Sequence, residues 1–194
     1  MKSYPLTYEN IINDPCISEE QKIQEEKYKT YIDNHKKNVV QTWEELKNLE
    51  IIHNFILKTS KDPNIDKKLN ERALNHDNSK FSEEEWEPYR KRFFFVNIEE
   101  KNSAKEEFQK AWCHHKANNF HHNQYWEETN QANIMPFIDV VEMCCDWISM
   151  SKANGGNALN WYYSQKNLVL GDKQKEWTLF ILKEYYKNVG NNKK

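Results

Sequence analysis

Apolar residues recur every three or four positions over several long stretches, and no run alternates apolar and polar residues long enough for a sheet. The pattern predicts an all-α protein. After Pro15, the capping box Ser18-x-x-Gln21 opens a helix whose stripe reads Tyr28, Tyr31/Ile32, His35, Val39, Trp43 and Leu46, running to about Lys58. Pro63 interrupts the pattern, and a shorter helix then carries Leu69, Ala73, His76 and Asp77 along one side. Ser82-x-x-Glu85 is a second capping box, starting a helix toward Phe95. A further helix over about 104–117 sets Phe108, Ala111, Trp112 and His115 on one face, and a polar link over 118–133 contains His121-His122. From near Pro136 the residues Phe137, Ile138, Val140, Val141, Met143, Cys144, Cys145, Trp147, Ile148 and Met150 make almost the whole helix circumference apolar, which places this helix at the centre. Asn154-Gly155-Gly156-Asn157 ends it, an amphipathic helix over about 173–187 packs Trp177, Ile181 and Tyr185, and the tail 188–194 frays.

A length of 194 residues suits one domain, with its core over about 18–187. Only 38% of the residues are hydrophobic, but seven Trp, nine Phe and ten Tyr make them large enough to fill a core. A formal charge of -2 lacks the basic excess of a general nucleic-acid binder. The most apolar stretch, 134–148, carries Asp139, Glu142 and Asp146, so a membrane span is not expected. Met1-Lys2-Ser3-Tyr4-Pro5 leads into polar sequence rather than the apolar segment of a signal peptide, so a cytoplasmic location with Cys16, Cys113, Cys144 and Cys145 reduced is expected. The chain has no P-loop, no glycine-rich dinucleotide fingerprint and no Gly-x-Ser-x-Gly elbow, which argues against kinase, Rossmann and serine-hydrolase chemistry.

The chemistry concentrates in polar residues on apolar faces. Asp139, Glu142 and Asp146, spaced three and four apart, share one stripe of the otherwise apolar central helix. A buried carboxylate needs protonation, a cationic partner or a metal; a solvated stripe paired with lysines is the plain alternative. His35, His76 beside Asp77, and His115 lie on inward faces of other helices. One such histidine is usually a hydrogen-bonded core residue, but several of them with a carboxylate stripe call for a shared partner, and imidazole with carboxylate suits Mn, Fe, Co, Ni or Zn.

The ordered set His35, then His76-Asp77, then Asp146 resembles the metal site of the HD superfamily of phosphohydrolases. The resemblance implies an HD-like single-domain helical bundle in which His35, His76, Asp77 and Asp146 hold a divalent metal. Members with more than one metal, such as the HD-GYP cyclic-dinucleotide phosphodiesterases, add histidines between the doublet and the last Asp, and His115 and His121-His122 stand in that order here, His122 being favoured of the pair. One or two ions, with Mg added to the metals above, are therefore implied. Tyr31 stands where HD-GYP proteins carry an acidic ligand, and the step from His115 to His121 is shorter than theirs. More narrowly, His76-Asp77-Asn78-Ser79-Lys80-Phe81, His121-His122-Asn123-Gln124-Tyr125-Trp126 and Glu142-Met143-Cys144-Cys145-Asp146-Trp147 resemble an uncharacterised family of bacteria and phages.

By that resemblance the expected activity is hydrolysis of a nucleotide or another small phosphoester by metal-activated water. Asp77, Lys80 and Glu142 are the candidate catalytic residues: Asp77 on the metal, Lys80 stabilising phosphoryl charge, Glu142 orienting a ligand histidine. Lys80 has an alternative as the partner of Glu83 or Glu84. Arg90 and Trp126 are candidate substrate contacts, for phosphate and for a stacked base, with a solvated face and a core edge as their alternatives. His53, with no acidic neighbour in the pattern, and His114, about 100° around the helix from His115, are left out of the constellation. The contrasting expectation is a non-catalytic binding module stabilised by metal, for example a phage factor that sequesters a nucleotide signal or a host protein; a third is no metal, with the histidines bonded to the carboxylates.

Overall fold

The computed structural model describes residues 11–191, so the reading of Met1–Pro5 lies outside the described residues, as does that of the tail 188–194 beyond 191, while 188–191 continue the last helix. Among those described, every regular element is a helix: α1 (Glu19–Asn48), α2 (Glu50–Ser60), α3 (Ile65–Asn75), α4 (Trp86–Phe93), α5 (Ile98–Ser103), α6 (Lys105–Asn118), α7 (Asn123–Glu128), α8 (Phe137–Ala153), α9 (Ala158–Ser164) and α10 (Asp172–Asn191), with short 3-10 turns at Asn78–Phe81 and Ala132–Ile134. None is long and apolar enough to cross a membrane. Contacts divide the described residues into two compact units, 11–34 with Asp77–Asn119, and His35–His76 with 120–191.

In the first unit, Ser18 caps α1 by accepting from the Gln21 N–H at 3.1 Å, half of the expected capping box. The apolar core is aromatic: Tyr28 and Ile32 of α1 pack with Trp86, Tyr89 and Ala111, and the Tyr28 and Trp86 rings lie 4.9 Å apart. Two of its buried charged groups pair with each other. Glu25, 2% exposed, accepts from Trp86 Nε1 at 2.6 Å and meets the Arg90 guanidinium at 3.0 Å. The second capping box does not form as expected: the helix starts at Trp86 and the Glu85 side chain is wholly buried, turned to other partners.

In the second unit, α8 is buried on nearly every side, with Val140, Val141, Met143, Cys144 and Ile148 at 0% exposure. Its composition dictates this, since exposing so many large apolar side chains would cost about 1.5–3 kcal/mol each. Around it lie Val39, Trp43 and Leu46 of α1, Ile52 and Ile56 of α2, Leu69 and Ala73 of α3, and Ile181, Leu182 and Tyr185 of α10. The helix expected to reach Lys58 in one piece breaks at Leu49, which takes an extended backbone (φ -86°, ψ 98°) before α2 begins. The change of direction lets Leu49 pack against the core while Ile52 and Ile56 are fully buried. The polar link over 118–133 contains α7, and α9 is a helix that the glycine-rich turn concealed; Asn157 caps it by accepting from the N–H groups of Leu159 and Asn160.

Candidate metal centre

Four segments of the second unit bring a cluster of imidazoles and carboxylates together. His35 comes from α1, His76 from the residue that ends α3, His121 from the chain before α7, and Asp139, Glu142 and Asp146 from one stripe of α8. His35, His76, His121, Asp139 and Glu142 are all at or below 6% exposure. Such groups need partners, and Glu142 supplies most of them. Its Oε1 accepts from His76 Nδ1 at 2.9 Å and lies 3.3 Å from His121 Nδ1, while its Oε2 accepts from Arg72 Nε. Arg72 also donates through a second nitrogen to Asp139.

The charges follow from these contacts. Burial pushes the Glu142 carboxyl upward, but hydrogen bonds from His121 and His76 outweigh it and hold Glu142 well below the usual carboxylate range. Burial dominates at Asp139, whose carboxyl is raised even with Arg72 beside it. Arg72 in turn is held above its usual value, burial being outweighed by Glu142 and Asp139.

A carboxylate only accepts, so a neutral His76 must carry its proton on Nδ1 and present the lone pair of Nε2. That Nε2 lies 3.2 Å from His35 Nε2 and 3.8 Å from Asp146 Oδ1, and His35 Nε2 lies 3.3 Å from the same Oδ1. Two ring nitrogens and a carboxylate oxygen thus form a triangle of atoms that can each ligate an ion once His35 gives up any proton on Nε2. The size of the triangle fits an ion: four ligands about 2.1 Å from a tetrahedral centre stand about 3.4 Å from one another. Ligand atoms of His76, His121 and Asp146 also lie within 4.8 Å of one another, so these buried groups could hold a metal ion. Of the pair His121-His122, it is His121 that joins this group; His122 is half-buried, its ring 4.1 Å from that of His121.

Asp77 begins the discontinuous part of the first unit and has φ 55°, a left-handed conformation that Asp tolerates better than most residues. Lys80 is buried against it, Nζ to Oδ2 at 2.7 Å, with the Tyr31 and Tyr89 rings about it. His115 lies between two carboxylates of the same unit, Nε2 at 3.3 Å from Asp77 Oδ1 and Nδ1 at 2.7 Å from Glu85 Oε2. Burial disfavours its charged form, but hydrogen bonds to Asp77 and Glu85 outweigh this and raise its pKa. Glu85 takes His114 on its other oxygen at 2.7 Å. Arg90 is 1% exposed and ion-paired with Glu25 and Glu100, an arrangement that leaves little of it to meet a phosphate. Trp126 donates from Nε1 to the Phe120 carbonyl at 2.8 Å and packs against the main core, as a core edge does. His53 has an acidic neighbour after all, Asp66 at 2.9 Å.

Sequence reasoning passed over Arg72 and Glu85. Arg72 stands one turn before His76 on the stripe of α3, a spacing that flags it; Glu85 reads as a cap because Ser82 precedes it by three.

A model of a family of unknown function, DUF5662, matches residues 24–186. No curated protein and no solved structure matches the chain.

Proposed function

The chain belongs to DUF5662, a family of unknown function, and from its site we propose a metal-dependent phosphohydrolase of the HD type acting on a nucleotide or another small phosphoester. The observation that carries the reading is the triangle of His35, His76 and Asp146, with the protonation of His76 set by Glu142. An ion held there would supply an activated water and polarise a phosphoryl oxygen. The chain's own residues do the rest. Glu142 keeps a proton on His76 Nδ1, His35 and Asp146 complete the donor face, and the apolar shell of α8 keeps bulk water from the ligands. The resemblance of these ordered residues to the HD superfamily is what supports the reaction class.

One observation favours a second reading, a metal that only stabilises a binding module. Side-chain exposure is 5% for His35 and 0% for His76, against 13% for Asp146, so the ligands are more enclosed than a catalytic ion with an open position requires. Elemental analysis of the purified protein and of His76→Ala, followed by a phosphoester screen with Mn, Fe, Co, Ni, Mg and Zn, separates the two. Near-stoichiometric metal and hydrolysis, both lost in the variant, support the enzyme. Metal without hydrolysis supports the binding module, and absence of metal under all conditions refutes both.

A further inference from the structure

Two helical pairs interlock beside the donor triangle. Arg72 and His76 are four residues apart at the end of α3, and Asp139 and Glu142 are three apart on α8, so each pair presents one polar edge to the other. The contacts run in a chain from Asp139 to the Arg72 guanidinium, from Arg72 Nε to Glu142 Oε2, and from Glu142 Oε1 to His76 Nδ1. A glutamate side chain has three rotatable torsions, and His76 and His121, both at Oε1, would leave the carboxylate free to turn about that one oxygen. Arg72 removes that freedom by holding the other oxygen, and its planar fork is itself fixed because a second nitrogen is held by Asp139.

We propose that Arg72 is a positioning residue for the metal centre: by pinning Glu142 Oε2 it holds His76 in the tautomer that turns the Nε2 lone pair toward His35 and Asp146. This rests on the reading of the cluster as a metal site, but its first consequence is visible without metal. A surface ion pair that merely stabilised the helices would leave the His76 tautomer untouched.

The test compares the wild-type protein with Arg72→Gln and Arg72→Lys. In the metal-free proteins, ¹⁵N NMR of the histidine rings should show His76 as a single Nδ1–H tautomer in the wild type and as a mixture in Arg72→Gln. Zn²⁺ affinity should fall about tenfold in Arg72→Gln, the low end for loss of an outer-shell partner, because Glu142 itself remains. Arg72→Lys should recover only part of the loss, since one ammonium cannot replace a fork that spans two carboxylates. A single unchanged His76 tautomer in Arg72→Gln, with Zn²⁺ affinity within twofold of wild type, would overturn the proposal. If Arg72→Gln does not fold, Arg72→Lys decides on the same two readouts. If the wild-type protein takes no metal, the metal reading fails, and the tautomer comparison still decides the role of Arg72.

Discussion

Replacing Glu142 with glutamine keeps the shape of the side chain and converts one of its two accepting oxygens into a donor. Both oxygens are in use, one by His76 Nδ1 at 2.9 Å and one by Arg72. Arg72 can only donate, so the amide oxygen stays with it and the amide NH₂ faces His76. Nδ1 must then accept, which moves the ring proton to Nε2, into the 3.2 Å space between His76 and His35. A proton there occupies the position of the lone pair that would bind an ion. Metal affinity should fall by about 10–100-fold, or about 1.4–2.7 kcal/mol. The metal-free protein also loses the charge opposite Arg72, a buried pairing worth about 1–3 kcal/mol; Asp139 still holds Arg72, so the lower part of that range is expected. Competition with a chromophoric chelator measures the affinity, urea melts in excess chelator measure the stability, and ¹⁵N NMR reads the tautomer. A Glu142→Gln protein that binds metal within twofold of wild type, with His76 still protonated on Nδ1, would refute this role for Glu142.

Three further outcomes are expected. Glu142 is depressed below its ordinary value of 4.5 in the folded protein, so its contribution to stability is complete above that pH and declines as the pH falls below it; urea midpoints should drop more steeply there for wild type than for Glu142→Gln, and parallel curves would contradict the assignment. A Cβ on Gly171 would come within 2.5 Å of both the Asn133 Cα and Gln174 Oε1, so Gly171→Ala should cost about 1–3 kcal/mol in a thermal melt, and an unchanged midpoint would count against that close approach. His53 pairs with Asp66 where both side chains are partly exposed, so His53→Ala should leave metal content unchanged and shift stability by less than about 1 kcal/mol; loss of metal in this variant would show that the constellation is drawn wrongly.

The helical class and the burial of α8 were legible along the chain, because hydrophobic periodicity is a local property and the apolar circumference of 137–150 has no stable place except inside. So were the residue types suited to a metal: the spacing of three and four that puts Asp139, Glu142 and Asp146 on one stripe is fixed by helix geometry alone. The break at Leu49 was not legible, since it depends on what the core offers Leu49 and Ile52 once the neighbouring helices are in place. Partnerships were the least legible part. Glu85 reads locally as a capping residue and is instead held by His114 and His115, about thirty positions on, while Glu142 meets Arg72 and His76 from far earlier in the chain. The sequence by itself determined that Asp139 and Glu142 of α8 and the inward-facing His35, His76 and His115 would be buried and in need of partners. Only the crossing of α3 and α8, set by side-chain packing over the whole unit, decided that Arg72 and His76 would meet the carboxylates of α8, and with that which ring nitrogen of His76 keeps its proton.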